Sequence, residues 1–286
     1  MTAEGMVVAK RSAWIPHAVL ILGLLIVLFP LYVALVAASD TLGDILAAPM
    51  SLAPGPHLFG NVAEALAAGT AKTSGQPVSA MLWNSLVMAL AIALGKIAIS
   101  LPSAYAVTFF RFPLRRVCFW AIFVTLMLPV EVRIIPTYQI ASDLSLIDSY
   151  AGLTLPLIAS ATATLLFRQF FLTIPDELVE AAKIDGAGPW RFLWDTVIPL
   201  SRTNIAALFV ILFTYGWNQY LWPLLVTDRP AMTTIVIGLR QMIGNGDAQT
   251  EWPIVMATTL LAILPPALVV LLMQRWFVRG LVEAEK

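Results

Sequence analysis

The stretch Trp14–Ala38 reads WIPHAVLILGLLIVLFPLYVALVAA and contains no Asp, Glu, Lys or Arg. A helix needs about 20 mostly apolar residues to cross the hydrocarbon core of a bilayer, and this run exceeds that. It is too long for the apolar region of a cleaved leader. No small-x-small cleavage pattern precedes the polar loop that follows, so we read it as a retained first span. Barrel strands run about 10 residues and alternate in polarity, which this stretch does not. A backbone in lipid must satisfy its own N–H and C=O groups, which makes the run helical.

Five further segments of the same kind follow, at 81–109, 116–140, 150–172, 203–226 and 253–277. The composition agrees with them. Apolar residues make up 59% of the 286, charged residues only 12%, and the mean hydropathy is +0.85. Soluble domains carry about 25% charged residues; a soluble chain of this makeup lacks the polar groups to cover its surface. Disorder, an ordinary soluble enzyme and a basic nucleic-acid surface are excluded, and Lys plus Arg balances Asp plus Glu at 17 each. The single cysteine, Cys118, permits neither an intrachain disulfide nor a cysteine zinc site, and His17 and His57 lack metal-ligand spacing. The expected fold is all-α, a polytopic membrane protein with six transmembrane helices forming one domain over residues 1–286.

Charge sets the expected orientation. With the N-terminus in the cytoplasm, the inner regions and span ends hold Lys10, Arg11, Arg111, Arg115, Arg116, Arg168, Lys183, Arg191, Arg202, Arg275, Arg279 and Lys286. The outer regions hold only Lys72, Arg133, Arg229 and Arg240, and Lys96 lies within the second span. Both termini are then inside, and residues 173–202 form a cytoplasmic loop between the fourth and fifth spans. Pro102, Pro129, Pro136, Pro156, Pro265 and Pro266 lie in or near spans. They serve either as kinks beside a cavity or as the ordinary proline of membrane helices.

The loop reads TIPDELVEAAKIDGAGPWRFLWDTVIPL from Thr173 to Leu200. Thr173 is the expected N-cap of its first helix, with Pro175, Asp176 and Glu177 in the first turn. Gly186 ends that helix in the left-handed region, and Gly188–Pro189 starts a second. The second helix is expected to place Trp190, Leu193, Trp194, Val197 and Ile198 on one face, with an Arg191–Asp195 pair on the other. From amphipathicity alone, the segment is equally a partner-docking knob or a helix lying at the lipid interface.

Glu180–Ala181–Ala182–x–x–Asp185–Gly186–Ala187, followed by an apolar helix ending Ile198–Pro199–Leu200, resembles the EAA loop of the membrane subunits of binding-protein-dependent ABC importers. One departure is Thr203, where a second proline is common. The resemblance implies that residues 173–202 are a coupling loop. Glu180, Ala181, Ala182, Asp185, Gly186 and Ala187 would then contact a cytoplasmic ATPase subunit. It extends over nearly the whole chain through FFRFPLRR (109–116), TLMLPVEVRIIPTYQI (125–140), DSYAGLTLPLIASATATLLFRQFF (148–171), YGWNQYLWPLL (215–225) and MQRWFVRGL (273–281). These stretches are similar to the shorter permeases of maltose-type carbohydrate importers, above all to the E-type permeases of sn-glycerol-3-phosphate importers.

That family implies a type I ABC importer permease fold in the bacterial inner membrane. Its implied partners are a second, different permease, two ATP-binding subunits, a periplasmic or lipid-anchored binding protein, and membrane lipid, with no nucleic acid. It also implies a transport subunit rather than an enzyme. No G-x-x-x-x-G-K-[ST] loop occurs in the chain, so ATP and Mg are assigned to the ATPase and no cofactor to this chain. The implied cargo is sn-glycerol 3-phosphate or a glycerophosphodiester, and a neutral sugar or polyol is the alternative. An ion-coupled secondary transporter is disfavoured by the lack of internal repeats.

The charges inside the spans bear on the cargo. Lys96 and Glu131 each lie 15 residues from a cytoplasmic-end arginine, Arg111 and Arg116, and so sit at similar depth. Either Lys96 and Glu131 form a structural pair, or Lys96 and Arg133 make the pathway attractive to a phosphate. Asn218, Gln219 and Tyr220 in the fifth span suit either substrate hydroxyls or neighbouring helices. Asn84 and Ser85 are read as interhelical or interfacial.

Overall fold

The computed structural model describes residues 14–127, 130–243 and 250–283. Of these, the side chains of Lys72, 126–127, 130–131 and 277–283 are left undescribed. All regular structure among the described residues is helical.

The first helix, α1, covers Trp14–Ser39 and is followed by two short helices in the first long loop, α2 (Leu42–Leu46) and α3 (Leu58–Ala68). Thr41 caps α2: its hydroxyl accepts from the Asp44 N–H and donates to the Asp44 carboxylate at 2.6 Å. The hydroxyl, and then the Thr41 N–H, hold that carboxyl below its ordinary pKa. The second long helix, α4, covers Val78–Phe109, and α5 (Arg115–Met127) and α6 (Val130–Asp143) follow. Next come α7 (Tyr150–Thr154) and α8 (Ala161–Phe171), then the loop helices α9 (Asp176–Ile184), α10 (Pro189–Phe192) and α11 (Ile198–Leu200). The chain closes with α12 (Arg202–Trp217), α13 (Leu221–Val226), α14 (Ile235–Ile243) and α15 (Trp252–Glu283).

Three of the expected spans are continuous helices that are long and apolar enough to cross a membrane: α1, α4 and the Trp252–Trp276 part of α15. The expected fourth span is broken, with the α7 end and α8 meeting at 47°. Pro156 lies in the turn before that break, where it cannot donate an N–H to a continuing helix. The expected fifth span stops at Trp217 and resumes at Leu221, so residues 218–220 carry non-helical backbone. The expected third span corresponds to α5 and α6, and Pro129 between them lies outside the described residues. Proline does not break the other helices: α4 runs through Pro102, α6 through Pro136 and α15 through Pro265–Pro266.

Helix α4 is the centre of the molecule and packs on α3, α7, α8, α12 and α14. Its approach to α12 is close because Gly216 has no side chain: a Cβ there would lie 2.9 Å from the Cα of Ala89. Gly95 plays the same part against Ile158, whose Cγ2 would lie 2.7 Å from an added Cβ. Small residues at helix crossings are how membrane helices gain van der Waals contact, since lipid supplies no hydrophobic drive between them. The large buried side chains Phe167, Phe171, Phe213, Met81 and Ile92 fill the remaining space around α4. By contrast α1 is exposed over most of its length and is buried only at Ala34 and Val36–Ser39, where it meets α3 and α15.

The polar residues at the start of α4 are fully engaged. Asn84 Nδ2 donates to the carbonyls of Ala231 (2.8 Å) and Thr233 (3.0 Å), and Asn84 Oδ1 accepts from the Tyr150 hydroxyl at 2.6 Å. Ser85 Oγ accepts from the Ile235 N–H at 2.8 Å. The pair is interhelical and ties the segment before α14 to α4.

Candidate functional site

The loop 173–202 forms a helix–turn–helix whose turn carries the expected residues. Asp176 and Glu177 open α9 at its positive dipole end, and Lys183 closes it. Gly186 adopts φ +68°, a conformation that costs an L side chain but not glycine. The Ala187 N–H donates to Ala182 O at 2.8 Å and the Gly186 N–H to Lys183 O at 3.1 Å. Those two bonds form a Schellman motif, which satisfies carbonyls that the helix end leaves open. Pro189 stands at the first position of α10, as its fixed φ favours.

Two local expectations are corrected. Thr173 is not the N-cap of α9; Pro175 takes that position, and the Thr173 hydroxyl donates to Phe170 O at 2.7 Å, closing the end of α8. The five apolar positions of the second helix do not share one buried face. A π-helical turn over Leu193–Val197 widens the register, so Phe192, Leu193 and Val197 are buried while Trp190 and Trp194 stay 71% and 63% exposed. Arg191 and Asp195 do pair, at 3.2 Å on the exposed side.

Glu180, Ala181, Asp185 and Gly186 are exposed, and Ala182 and Ala187 are half-buried. A Cβ on Gly186 would meet nothing within 4 Å, so the turn faces open space. Ala181, Ala182, Asp185 and Ala187 line a groove of about 290 Å³ between α9 and the second helix. Ile184, Trp190 and Trp194 on the same helix–turn–helix are exposed as well, Ile184 at 86%. The knob therefore offers small residues at its turn and exposed large apolar residues on its two helices.

The roots of the knob run into the transmembrane helices. The Tyr105 hydroxyl on α4 donates to Pro189 O at 2.8 Å. Phe192 meets the Phe109 ring edge-on at 5.5 Å, and Phe109 meets Phe171 of α8 at 6.0 Å. The sequence reading missed this aromatic socket. Its one visible signal is the spacing of Tyr105 and Phe109, which puts both on one helix face.

The second constellation lies within the spans. Lys96, Arg133 and Tyr215 line one cavity of about 770 Å³, with Thr125, Ser160 and Thr164 among its polar neighbours. Lys96 Nζ sits 3.8 Å above the centre of the Tyr215 ring, a cation–π contact, and Lys96 itself is buried. The side chain of Glu131 lies outside the described residues, so its expected pairing with Lys96 is not described. Asn218 caps α12 and lines a different cavity, of about 520 Å³, against α15. Gln219 Nε2 donates to Tyr215 O at 3.1 Å across the break in the fifth span. The structure thus brings Lys96 and Arg133 together, sends Asn218 elsewhere, and adds Tyr215. The sequence offered no sign of Tyr215, because nothing in an apolar run marks which ring will face a distant lysine.

Residues 96–283 match the family described as binding-protein-dependent transport system inner membrane component. The chain belongs to this family. It is therefore a multi-pass inner-membrane permease of an ABC importer, a transport subunit and not an enzyme. It is 63% identical over 272 residues to the sn-glycerol-3-phosphate transport system permease protein UgpE of Agrobacterium fabrum, covering 95% of this chain and 96% of the other. It is 63% identical to the protein of that name from Brucella melitensis (96% and 98% covered) and 61% identical to the one from Yersinia pestis (94% and 96% covered). In three dimensions it resembles a chain in the crystal structure of a bacterial ABC transporter involved in the import of the acidic polysaccharide alginate. The TM-score is 0.78 at 21% identity, covering 94% of this chain and 98% of that one. That likeness supports the permease fold.

Proposed function

We propose that this permease moves sn-glycerol 3-phosphate, or a glycerophosphodiester, inward across the membrane by alternating access. The observation that carries the reading is the identity of about 63% along nearly the whole chain to permeases named for sn-glycerol-3-phosphate transport. Lys96 and Arg133 in one cavity agree with it, since two cations suit a phosphate. In this reading the permease pairs with a second, different permease. Two ATPase subunits, which hold ATP and Mg, lie below it, and a periplasmic or lipid-anchored binding protein delivers the cargo. Both termini lie in the cytoplasm, as the charge distribution favours.

Residues 173–202 act as the coupling loop within a single transmembrane domain. Glu180, Ala181, Ala182, Asp185, Gly186 and Ala187 contact the ATPase. ATP binds one arrangement of the ATPase pair more tightly than the other, and that difference drives the change of state. A shift of the knob reaches α4 through the Tyr105–Pro189 hydrogen bond and the Phe109–Phe192 contact. Tyr105 is nine residues from Lys96, about 13 Å along the helix.

The test is uptake of labelled glycerol 3-phosphate by cells carrying the complete transporter, with maltose as control substrate. Gly186→Pro cannot adopt φ +68°, because proline fixes φ near −65°. We expect that variant to assemble in the membrane and lose uptake; full uptake would remove residues 173–202 as the coupling loop. Absence of glycerol 3-phosphate uptake by the intact system would favour the neutral cargo. Arg133→Ala is expected to lower apparent affinity about tenfold, in line with loss of one charged hydrogen bond. An unchanged affinity and rate would remove Arg133 from the pathway.

A further inference from the structure

A cavity of about 740 Å³ opens where α4 ends and α5 begins, about one helical turn beyond the cavity of Lys96 and Arg133 along α4 (Ser103 to Val107), α5 (Ile122 to Phe119) and α8 (Thr164 to Arg168). Its lining includes four arginines, Arg111, Arg115, Arg116 and Arg168, and, among the described residues, no Asp or Glu. Among the described residues none of the four is ion-paired with a carboxylate. Arg115 Nε donates to Val107 O at 2.8 Å. The Arg168 guanidinium lies 4.4 Å above the Phe119 ring, and its Nε is sealed from solvent with no hydrogen-bond acceptor among the described residues.

A preference for positive charge at the cytoplasmic face accounts for exposed arginines such as Arg111 and Arg116. It does not account for the half-buried Arg168, whose Nε has no acceptor among the described residues, a cost that its outward-facing nitrogens can offset by pairing with an anion. Nor does it account for the start of α5. The positive end of a helix dipole favours acidic residues, yet the first turn here has none and begins Arg115–Arg116. The loop that delivers those arginines turns through Leu114 at φ +65°, a conformation L-residues rarely adopt. Cationic side chains and a helix N-terminus thus converge on one space, and among the described residues no carboxylate meets them.

The geometry points to a binding site for the phosphate group of an acidic phospholipid. Arginine forks match phosphate oxygens, and a helix N-terminus adds backbone donors. The lipid source is favoured over a free anion by what lies beside the cavity. Val117, Trp120 and Val124 follow one another along α5 at helical spacing, each more than half exposed. They form an apolar track leading from the arginines into the membrane, suited to an acyl chain. The site adjoins the cavity of Lys96 and Arg133 and shares its phosphate chemistry, so the two arms of the experiment separate a lipid from a free phosphate; the proposed orientation sets only the leaflet it faces.

The experiment uses the complete transporter in nanodiscs. Retention of phosphatidylglycerol against phosphatidylcholine is counted by native mass spectrometry for the intact complex and for Arg116→Gln, Arg168→Gln and Arg168→Lys. Preferential retention by the intact complex, weakened about fivefold for each charge removed and largely kept in Arg168→Lys, is the expected result. In a second arm, labelled inorganic phosphate is titrated onto the complex in discs of phosphatidylcholine alone. Saturable phosphate binding that the Gln variants lose, with no lipid preference, keeps the phosphate site and overturns the lipid as its source. Equal lipid retention by intact and variant complexes, with no phosphate binding, overturns the site. Where Arg168→Gln fails to copurify with the ATPase, the exposed Arg116→Gln decides.

Discussion

At the scale of single residues, the Tyr105 hydroxyl holds the second helix of the knob to α4 through the carbonyl of Pro189. Tyr105→Phe removes the donor and keeps the ring. A net hydrogen bond of this kind contributes about 1 kcal/mol. We expect the variant to assemble normally but to import less cargo per ATP hydrolysed, measured in proteoliposomes as the ratio of transport to ATPase rate. Gly186 and Pro189 were legible in the sequence, because each is the residue type that its backbone angle requires. Tyr105 and Tyr215 were not, because their partners lie 84 and 119 residues away, and only the tertiary fold brings them near. The misreading of Thr173 has a similar origin. Thr173 and Pro175 both stand near the helix start, and a hydroxyl that can cap the next helix can equally close the previous one.

At the scale of helices, the crossing of α4 and α12 depends on Gly216. Gly216→Val places side-chain carbon where the backbone of Ala89 already lies, and overpacking of this kind costs about 1–3 kcal/mol. A lower melting temperature of the purified complex is the expected outcome, with Gly216→Ala intermediate. Helix existence was legible for α1, α4 and α15, where an unbroken apolar run of sufficient length leaves no other structure open. The breaks near 158–160 and 218–220 were not. Hydropathy averages over a window and is blind to a backbone that leaves the helix for three residues. The π-helical turn at Leu193–Val197 was equally invisible, since it shifts which residues are buried without altering composition.

At the scale of the whole molecule, burial is uneven. The core gathers around α4, while most of α1 turns large apolar side chains outward, among them Leu22 and Leu25 at 60% exposure each. A patch of this size must meet lipid or another chain. A spin label at Leu25 in the complete transporter is expected to collide with oxygen far more than with a water-soluble nickel complex. The opposite order would place α1 against water. The membrane class and the family-like loop were legible from sequence, because both are written in consecutive residues. The grouping of Lys96 with Arg133 was legible as one of two alternatives, but their companion Tyr215 and the meeting of Arg168 with Arg111, Arg115 and Arg116 were not, since these contacts join different helices.

Helix α4 is held at both of its ends by hydrogen bonds to other parts of the chain. Asn84 and Ser85 grip the segment before α14 at one end, and Tyr105 grips the knob at the other. The 21 residues from Asn84 to Tyr105 measure about 31 Å, close to the thickness of the hydrocarbon core. A rod clamped one membrane thickness apart behaves as a lever. In the proposed mechanism it is the part that passes a tilt imposed at one aqueous face to the other, so that events on the two sides of the bilayer would keep step without local unfolding between them.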